Sequence, residues 1–183
     1  MELTRMQFDV ITALLERAGM SQRALQKKTG YSLGSVNKTL RELGEAGLVE
    51  NGEVSSSGID ALEPYRVKRA VIIAAGFGSR LVPVTLNTPK PLVRVNGKRI
   101  IDGILDALLA AGIDDIVIVR GYLSEQFDQL LYKYPMIRFI ENPAYNEANN
   151  ISSAMCARYL LSEAYVCEAD LLISNPAIIR KYN

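Results

Sequence analysis

Ala70 to Leu92 reads AVIIAAGFGSRLVPVTLNTPKPL, and the fold of the α/β part of the chain turns on how it is read. Ala70 to Ala75 is a short apolar run of the kind that forms a buried strand. It breaks at Gly76-Phe77-Gly78, where the backbone can turn tightly and come close to a ligand. A fixed cation, Arg80, follows, and then a lysine framed by prolines, Pro89-Lys90-Pro91. A strand, a glycine turn with free amides and two cations at set distances are the parts needed to hold a polyphosphate. Glycines after a strand can also mean no more than a tight turn. The stretch lacks the G-x-x-x-x-G-K-[ST] phosphate loop, and Leu81 stands where a dinucleotide fingerprint would place its third glycine.

The residues beyond the glycines carry more information. Ala74, Ala75, Gly76, Gly78, Ser79, Arg80, Leu81, Pro83, Thr85, Pro89, Lys90, Pro91 and Leu92 together spell A-A-G-x-G-[ST]-R-L-x-P-x-T followed by P-K-[PA]-L. This string resembles the signature of the nucleoside-triphosphate transferases that activate sugar 1-phosphates and phosphocholine. The resemblance implies that Ala74, Ala75, Gly76, Phe77, Gly78 and Ser79 line a nucleotide site. It also implies that Arg80 and Lys90 are the catalytic cations.

Downstream, apolar runs alternate with helical patterns. Leu92–Val95 reads as a strand, Asn96-Gly97 as a turn and 100–111 as a helix with Ile101, Ile104, Leu105, Leu108 and Leu109 on its apolar face. Asp115–Arg120 (DIVIVR) reads as a buried parallel strand. Ser124–Tyr134 reads as a helix, Ile137–Glu141 as a strand, Ile151–Leu161 as a helix and Ala164–Cys167 as a strand. Asn175-Pro176 supplies a cap and first position for a last helix. This alternation predicts an α/β fold, a doubly wound Rossmann-like sheet, over residues 65–183. Sites in such sheets lie at the carboxyl ends of strands, where the signature loop, the polar loop NPAYNEANN and Asp170 all fall.

An acidic residue after a strand is by itself only a cap or a solvated turn residue. The family resemblance gives Asp170 more: it matches the position of a magnesium-binding aspartate, and Glu168-Ala169-Asp170 is closer to phosphocholine cytidylyltransferases than to the sugar enzymes. Glu168 is the weaker candidate. The sugar enzymes carry a glutamine and a glycine for the base where this chain has Asn149-Asn150-Ile151-Ser152-Ser153, again similar to the phosphocholine group. Asn150 and Ser152 are therefore expected to contact the nucleotide, although Asn150 could equally cap the helix that follows.

Upstream lies a different pattern. Thr4 and Gln7 form a capping box, with Phe8, Ile11, Leu15 and Ala18 on one helical face. Ser21 caps a second helix and Ser32 a third, whose buried stripe is Val36, Leu40 and Leu43. Asn51-Gly52 between Val49-Glu50 and Glu53-Val54 is a hairpin signal. Three helices and a two-stranded ribbon over residues 1–64 resemble a winged helix-turn-helix of the MarR-like kind, which implies a small DNA-binding domain. Its third helix would present Ser35, Asn37, Lys38 and Arg41 to duplex DNA, with Lys27 and Lys28 near the backbone. Against this, Lys and Arg do not outnumber Asp and Glu before Tyr65. Winged helices also serve as protein-protein or dimerisation modules, which leaves a homodimer open.

The chain of 183 residues is 49% hydrophobic with a net charge of +1, so composition alone points to no polyanion and no membrane partner. No apolar run is long enough to span a bilayer, and the start shows no signal-peptide core, so a cytoplasmic protein is expected. Cys156 and Cys167 are expected to be buried free thiols. With no histidine, catalysis must rest on carboxylates, cations, amides and a metal, which the resemblance implies is Mg2+. The resemblance implies transfer of CMP from CTP to phosphocholine with release of pyrophosphate. A sugar 1-phosphate acceptor, or a DNA-binding regulator that senses a nucleotide without turnover, are the alternatives. The α/β part is about half of a complete family domain, so a fragment is expected.

Overall fold

The computed structural model describes residues 2–148, 150–173, 175–180 and 182. The chain divides into two compact units, Met1–Arg66 with Tyr182, and Val67–Lys181 with Asn183.

The first unit begins with α1 (Arg5–Glu16), closed at its start by the Thr4–Gln7 capping box. Ser21 caps α2 (Gln22–Thr29) and Ser32 caps α3 (Leu33–Glu45), each through its side-chain oxygen. Strands β1 (Val49–Glu50) and β2 (Glu53–Val54) pair antiparallel about Asn51-Gly52, and α4 (Ser56–Leu62) follows. The core holds Phe8, Val10, Ile11, Leu14, Leu25, Val36, Leu43, Leu48 and Leu62. Two details differ from the sequence reading. Leu15 is exposed and Ala18 lies beyond the end of α1, while Val10, Ala13 and Leu14 are buried in their place. In α3, Thr39 is buried beside Val36 and Leu43, and Leu40 is half-buried.

The second unit is built on a parallel sheet. Strand β3 (Arg69–Ile73) is followed by a hairpin of β4 (Arg94–Val95) and β5 (Lys98–Arg99), then α5 (Asp102–Ala110). Next come β6 (Asp115–Arg120), β7 (Arg138–Glu141), α6 (Asn150–Cys156) and β8 (Ala164–Glu168). The spatial order is β7-β6-β3-β8, all parallel, with Ile73 level with Val119 on one side and Glu168 on the other. Helices cover both faces. Ala70, Ile72, Ile116 and Ile118 pack with Ile104, Leu105, Leu108, Phe127 and Leu130 on one face. Val71, Ile73 and Val119 pack with Ala157 and Cys156 on the other. This is a doubly wound α/β sheet.

The sequence reading of several connections needs correction. Ser124–Tyr132 is wound as a 3-10 helix, entered from Leu123 at φ 47° with no side-chain cap. The helix expected over Ile151–Leu161 is α6 and a separate 3-10 turn, Arg158–Leu160. The helix expected from residue 100 starts at Asp102, because the Asp102 carboxylate folds back to accept the Arg99 amide (3.1 Å) and stops the hairpin there. The signature loop itself contains three 3-10 turns, Ser79–Leu81, Val84–Leu86 and Lys90–Leu92. Cys156 and Cys167 are free thiols, half-buried rather than fully enclosed. No helix is long and apolar enough to cross a membrane among the described residues.

Candidate active site

Sheet order fixes where the site lies. The chain runs outward from β3 to β6 and β7, then returns to the other side of β3 as β8. The crossovers on either side of β3 therefore leave in opposite directions. Between β3 and β8 the loops at the carboxyl ends splay apart, which opens a crevice. A cleft of about 170 Å³ lies there, lined by Ala74, Gly76, Gly78, Arg80, Leu81, Lys90, Pro91, Asn150, Glu168 and Asp170 among others.

The glycine loop leaves β3 with Ala74 donating to Val119 O (2.8 Å) and Ala75 O accepting from the Tyr122 amide (3.0 Å). The backbone amides of Gly76, Phe77 and Gly78 meet no acceptor among the described residues, so the loop carries three available donors, and Gly76 and Gly78 line the cleft. Gly78 has φ 69°, and a Cβ there would stand 3.2 Å from both Lys90 Cβ and Thr85 Cγ2. Only glycine meets that conformation and that closeness at low cost. The buried Thr85 hydroxyl donates to Gly78 O (3.1 Å) and ties the far end of the loop to its start.

Lys90 Nζ forms an ion pair with Asp170 Oδ2 across the cleft, between residues 80 apart in the chain. Their side chains are 28% and 30% exposed. Arg80 stands exposed on the rim, with no ion-pair partner among the described residues. Asn150, the first residue of α6, donates from Nδ2 to Glu168 Oε1 (2.9 Å). Glu168 thus lines the cleft as well, and exposed Asn150 is part of its wall rather than a helix cap.

The structure brings together Ala74, Gly76, Gly78, Arg80, Lys90, Asn150 and Asp170. Ala75, Phe77 and Ser79 belong to the same loop but do not line the cleft. Ala75 is buried, and the Phe77 ring turns away to meet the Tyr122 ring edge-on (4.7 Å, 83°). Ser152 does not line the cleft, and its Oγ accepts from the buried Asn142 Nδ2 (2.9 Å), which also donates to Ser153 Oγ. Asn142 follows β7 and anchors α6, a role that depends on tertiary contact and is invisible in local spacing. Asn149 lies outside the described residues. Nothing in the sequence pattern marks Tyr122 or Gln126 as part of the site. Tyr122 Oη donates to Leu86 O (2.9 Å) and Gln126 Nε2 to Asn87 O (3.0 Å), so both brace the signature loop.

No group of three or more Cys, Asp or Glu side chains able to hold a metal ion occurs among the described residues. Asp170 and Glu168 still offer hard oxygen donors on one side of the cleft. One or two carboxylates completed by phosphate oxygens and water is how Mg2+ is commonly bound, so the donor chemistry fits that ion.

In the first unit, Asn37, Lys38 and Arg41 are exposed on α3 and Ser35 is half-buried at its start. Ser35 Oγ lies 2.8 Å from the capping Ser32 Oγ. Lys38 and Arg41 each face a glutamate one turn on, Glu42 and Glu45, at 3.8 Å. On the ribbon, Glu50 and Glu53 sit directly opposite each other, an acidic tip.

Comparison with known proteins agrees with this geometry. The family model for nucleotidyl transferases matches residues 69–175, more than half of the chain, and the MarR family model matches residues 2–56. The 2-aminoethylphosphonate cytidylyltransferase of Lancefieldella rimae is 46% identical over 113 residues, covering 61% of this chain and 46% of the relative. The choline-phosphate cytidylyltransferase of Streptococcus pneumoniae is 46% identical over 102 residues, covering 56% and 44%. The solved structure of the CTP:phosphocholine cytidylyltransferase of Streptococcus pneumoniae superposes with a TM-score of 0.59 at 44% identity, over 63% of this chain and 50% of that one. The chain spans about half the length of the relatives it matches. With the signature loop, the sheet order and the family model in agreement, this chain belongs to the nucleotidyl transferase family.

Proposed function

We propose that the protein transfers CMP from CTP to a small phosphorylated acceptor, phosphocholine first among them, and releases pyrophosphate. The observation that carries this reading is the Lys90–Asp170 pair set beside three free loop amides at the switch point of the sheet. A cation and a carboxylate from distant parts of the chain meet where a triphosphate would lie. Two of the relatives are named for choline phosphate and 2-aminoethylphosphonate. Both compounds carry a cationic nitrogen two carbons from the phosphate ester oxygen or the phosphonate phosphorus, which supports an acceptor of that kind.

In the reaction, an acceptor phosphate oxygen attacks the α-phosphorus of CTP, the bond to the β-phosphate bridging oxygen breaks, and pyrophosphate leaves with the electron pair. The acceptor is already an oxyanion, so no general base is needed, in keeping with a chain that has no histidine. Positioning and charge neutralisation remain to be supplied. The amides of Gly76, Phe77 and Gly78 receive phosphate oxygens. Arg80 holds the β- and γ-phosphates and then the departing pyrophosphate. Lys90 neutralises charge at the α-phosphate and the attacking group. Asn150 contacts the nucleoside. Asp170, with Glu168 beside it, would hold Mg2+, whose chemistry is neutralisation of the triphosphate charge. Lys90, paired with Asp170 in this structure, would be available to the phosphates if that carboxylate held the cation.

Pyrophosphate release tests this reading. CTP, UTP and dTTP are each supplied with phosphocholine, 2-aminoethylphosphonate or glucose 1-phosphate, with and without Mg2+. Release with CTP and an amine-bearing acceptor, abolished by withdrawing Mg2+, is expected. Release only with glucose 1-phosphate would move the reading to a sugar nucleotidyltransferase. A second reading rests on Asn37, Lys38 and Arg41 exposed on α3: the first unit binds duplex DNA and the α/β unit senses the nucleotide. CTP binding without turnover, with a duplex affinity that falls steeply with salt, would favour it.

A further inference from the structure

We infer that Tyr122 is a positioning residue for the phosphate-binding loop, holding the free amides of Gly76, Phe77 and Gly78 in place from outside the cleft. This role rests on the reading of that loop as the triphosphate site.

The loop has little apolar burial of its own to hold it. Leu81, Val82, Val84 and Leu86 are all 40% or more exposed. Its shape must come from hydrogen bonds and from what packs against Phe77. Tyr122 supplies three such ties at three points. Its amide donates to Ala75 O (3.0 Å), where the loop leaves the strand. Its ring meets Phe77, the residue between the two glycines, at 4.7 Å and 83°. Its hydroxyl donates to Leu86 O (2.9 Å), at the far side of the loop. The edge-on ring contact is a favoured aromatic geometry. It fixes the Cα of Phe77 and hence the direction of the amides on either side.

Tyr122 is itself held. The Tyr145 ring lies 6.4 Å from it, tilted by 55°. Tyr145 comes so close to the preceding residue, Gly121, that a Cβ there would fall 2.6 Å from Tyr145 Cβ. Glycine at 121 is what lets the two tyrosines share that space. Tyr122 follows β6, which is paired to β3 along its length, so the brace is seated on the rigid sheet and not on another loop. The Tyr122 ring does not line the cleft, so it acts through Phe77 and Leu86 and not on the nucleotide.

The test uses the full chain with Tyr122→Phe and Tyr122→Leu. Tyr122→Phe removes only the hydroxyl and keeps the ring. Amide exchange is followed at Leu81, Val82 and Leu86, whose amides are bonded within the loop. Affinity is measured for CTP and for tripolyphosphate, which has no base or sugar. Tyr122→Phe is expected to speed exchange at those amides about fivefold and to weaken both ligands by a similar factor, with the melting temperature held. Tyr122→Leu is expected to do both about tenfold or more. Unchanged loop exchange in Tyr122→Leu would overturn the brace. Weakened CTP with unchanged tripolyphosphate would also overturn it, because the tyrosine would then be touching base or ribose. Faster exchange in a chain whose unmutated form binds neither ligand would overturn the nucleotide reading, and the positioning role of Tyr122 with it.

Discussion

Two aspartate-cation pairs in the α/β unit have nearly the same chemistry and opposite settings. Arg99 and Asp102 are three residues apart and 8% exposed on each side. Asp102 Oδ1 takes Arg99 Nε (3.1 Å) and Nη2 (3.0 Å), and Oδ2 takes the Arg99 amide (3.1 Å). The Tyr134 hydroxyl stands 3.2 Å from Asp102 Oδ1 as well. Lys90 and Asp170 are 80 residues apart and more than a quarter exposed, and among the described residues their only side-chain bond is to each other. The first pair is satisfied on every side and closes the core at the start of α5. The second is a single contact across a cleft, and a ligand can replace either partner. Satisfaction of the remaining hydrogen-bonding capacity, not the charges themselves, separates a structural ion pair from an exchangeable one.

Substitutions should pull the two pairs apart. Asp102→Ala leaves a buried guanidinium without its partner, and about 3–5 kcal/mol of stability should be lost, read by denaturant titration. Asp170→Asn and Lys90→Ala should each cost under about 1 kcal/mol of stability. In the transfer reaction each should lower turnover about 10²- to 10³-fold, read by pyrophosphate release. If Asp170→Asn unfolds the chain as Asp102→Ala does, the distinction drawn between the pairs fails.

Gly78→Ala sharpens the contrast, because it strains the loop against Lys90 and leaves the Arg99–Asp102 pair untouched. At φ 69°, with Lys90 and Thr85 at 3.2 Å from the new Cβ, it should cost about 1–3 kcal/mol and weaken CTP binding more than the stability loss alone explains. Equilibrium binding at a temperature where the variant stays folded would show this.

Acid tests the buried pair. Burial pushes the Asp102 carboxyl up, but the hydrogen bonds and charge of Arg99 outweigh it and hold the group below its ordinary value. Its contribution is therefore complete above the ordinary carboxylate range near about pH 4 and is lost as pH falls through the lowered value. Asp102→Asn should flatten the acid limb of the stability curve below about pH 4. The smallest effect expected is in the other unit. Lys38→Ala and Arg41→Ala should each reduce the salt slope of duplex binding by about 1, if that helix meets phosphate. An affinity with no salt dependence would remove DNA as a partner, as the acidic Glu50–Glu53 tip already weighs against it.

Some of this is legible in the sequence, and the rest is hidden for definable reasons. The caps at Thr4, Ser21 and Ser32, the Asn51-Gly52 turn and the strand Asp115–Arg120 are local signals, and the structure has each of them where the residues put it. The buried face of α1 is ambiguous in sequence because two overlapping helical stripes, one through Leu15 and one through Leu14, are both apolar. Only packing chooses between them. The signature residues, Asn150 and Asp170 converge on one cleft because sheet order puts β8 next to β3. Ser152 goes elsewhere because Asn142, ten residues upstream, claims its hydroxyl. Tyr122 carries no local signal because its partners, Phe77 and Leu86, lie 45 and 36 residues away.

Lys90 and Asp170 hold each other, on this reading, until a metal-bound triphosphate takes their places. CTP titrations of the full chain, Lys90→Ala and Asp170→Asn, each with and without Mg2+, put that exchange to the test. Tight CTP binding is expected only with Mg2+ in the unmutated chain. Asp170→Asn should lose the Mg2+ dependence, and Lys90→Ala should bind CTP weakly while binding Mn2+ alone about twofold to fivefold more tightly than the unmutated chain. CTP affinity that is the same in all three chains, or indifferent to Mg2+ in the unmutated one, would contradict the exchange.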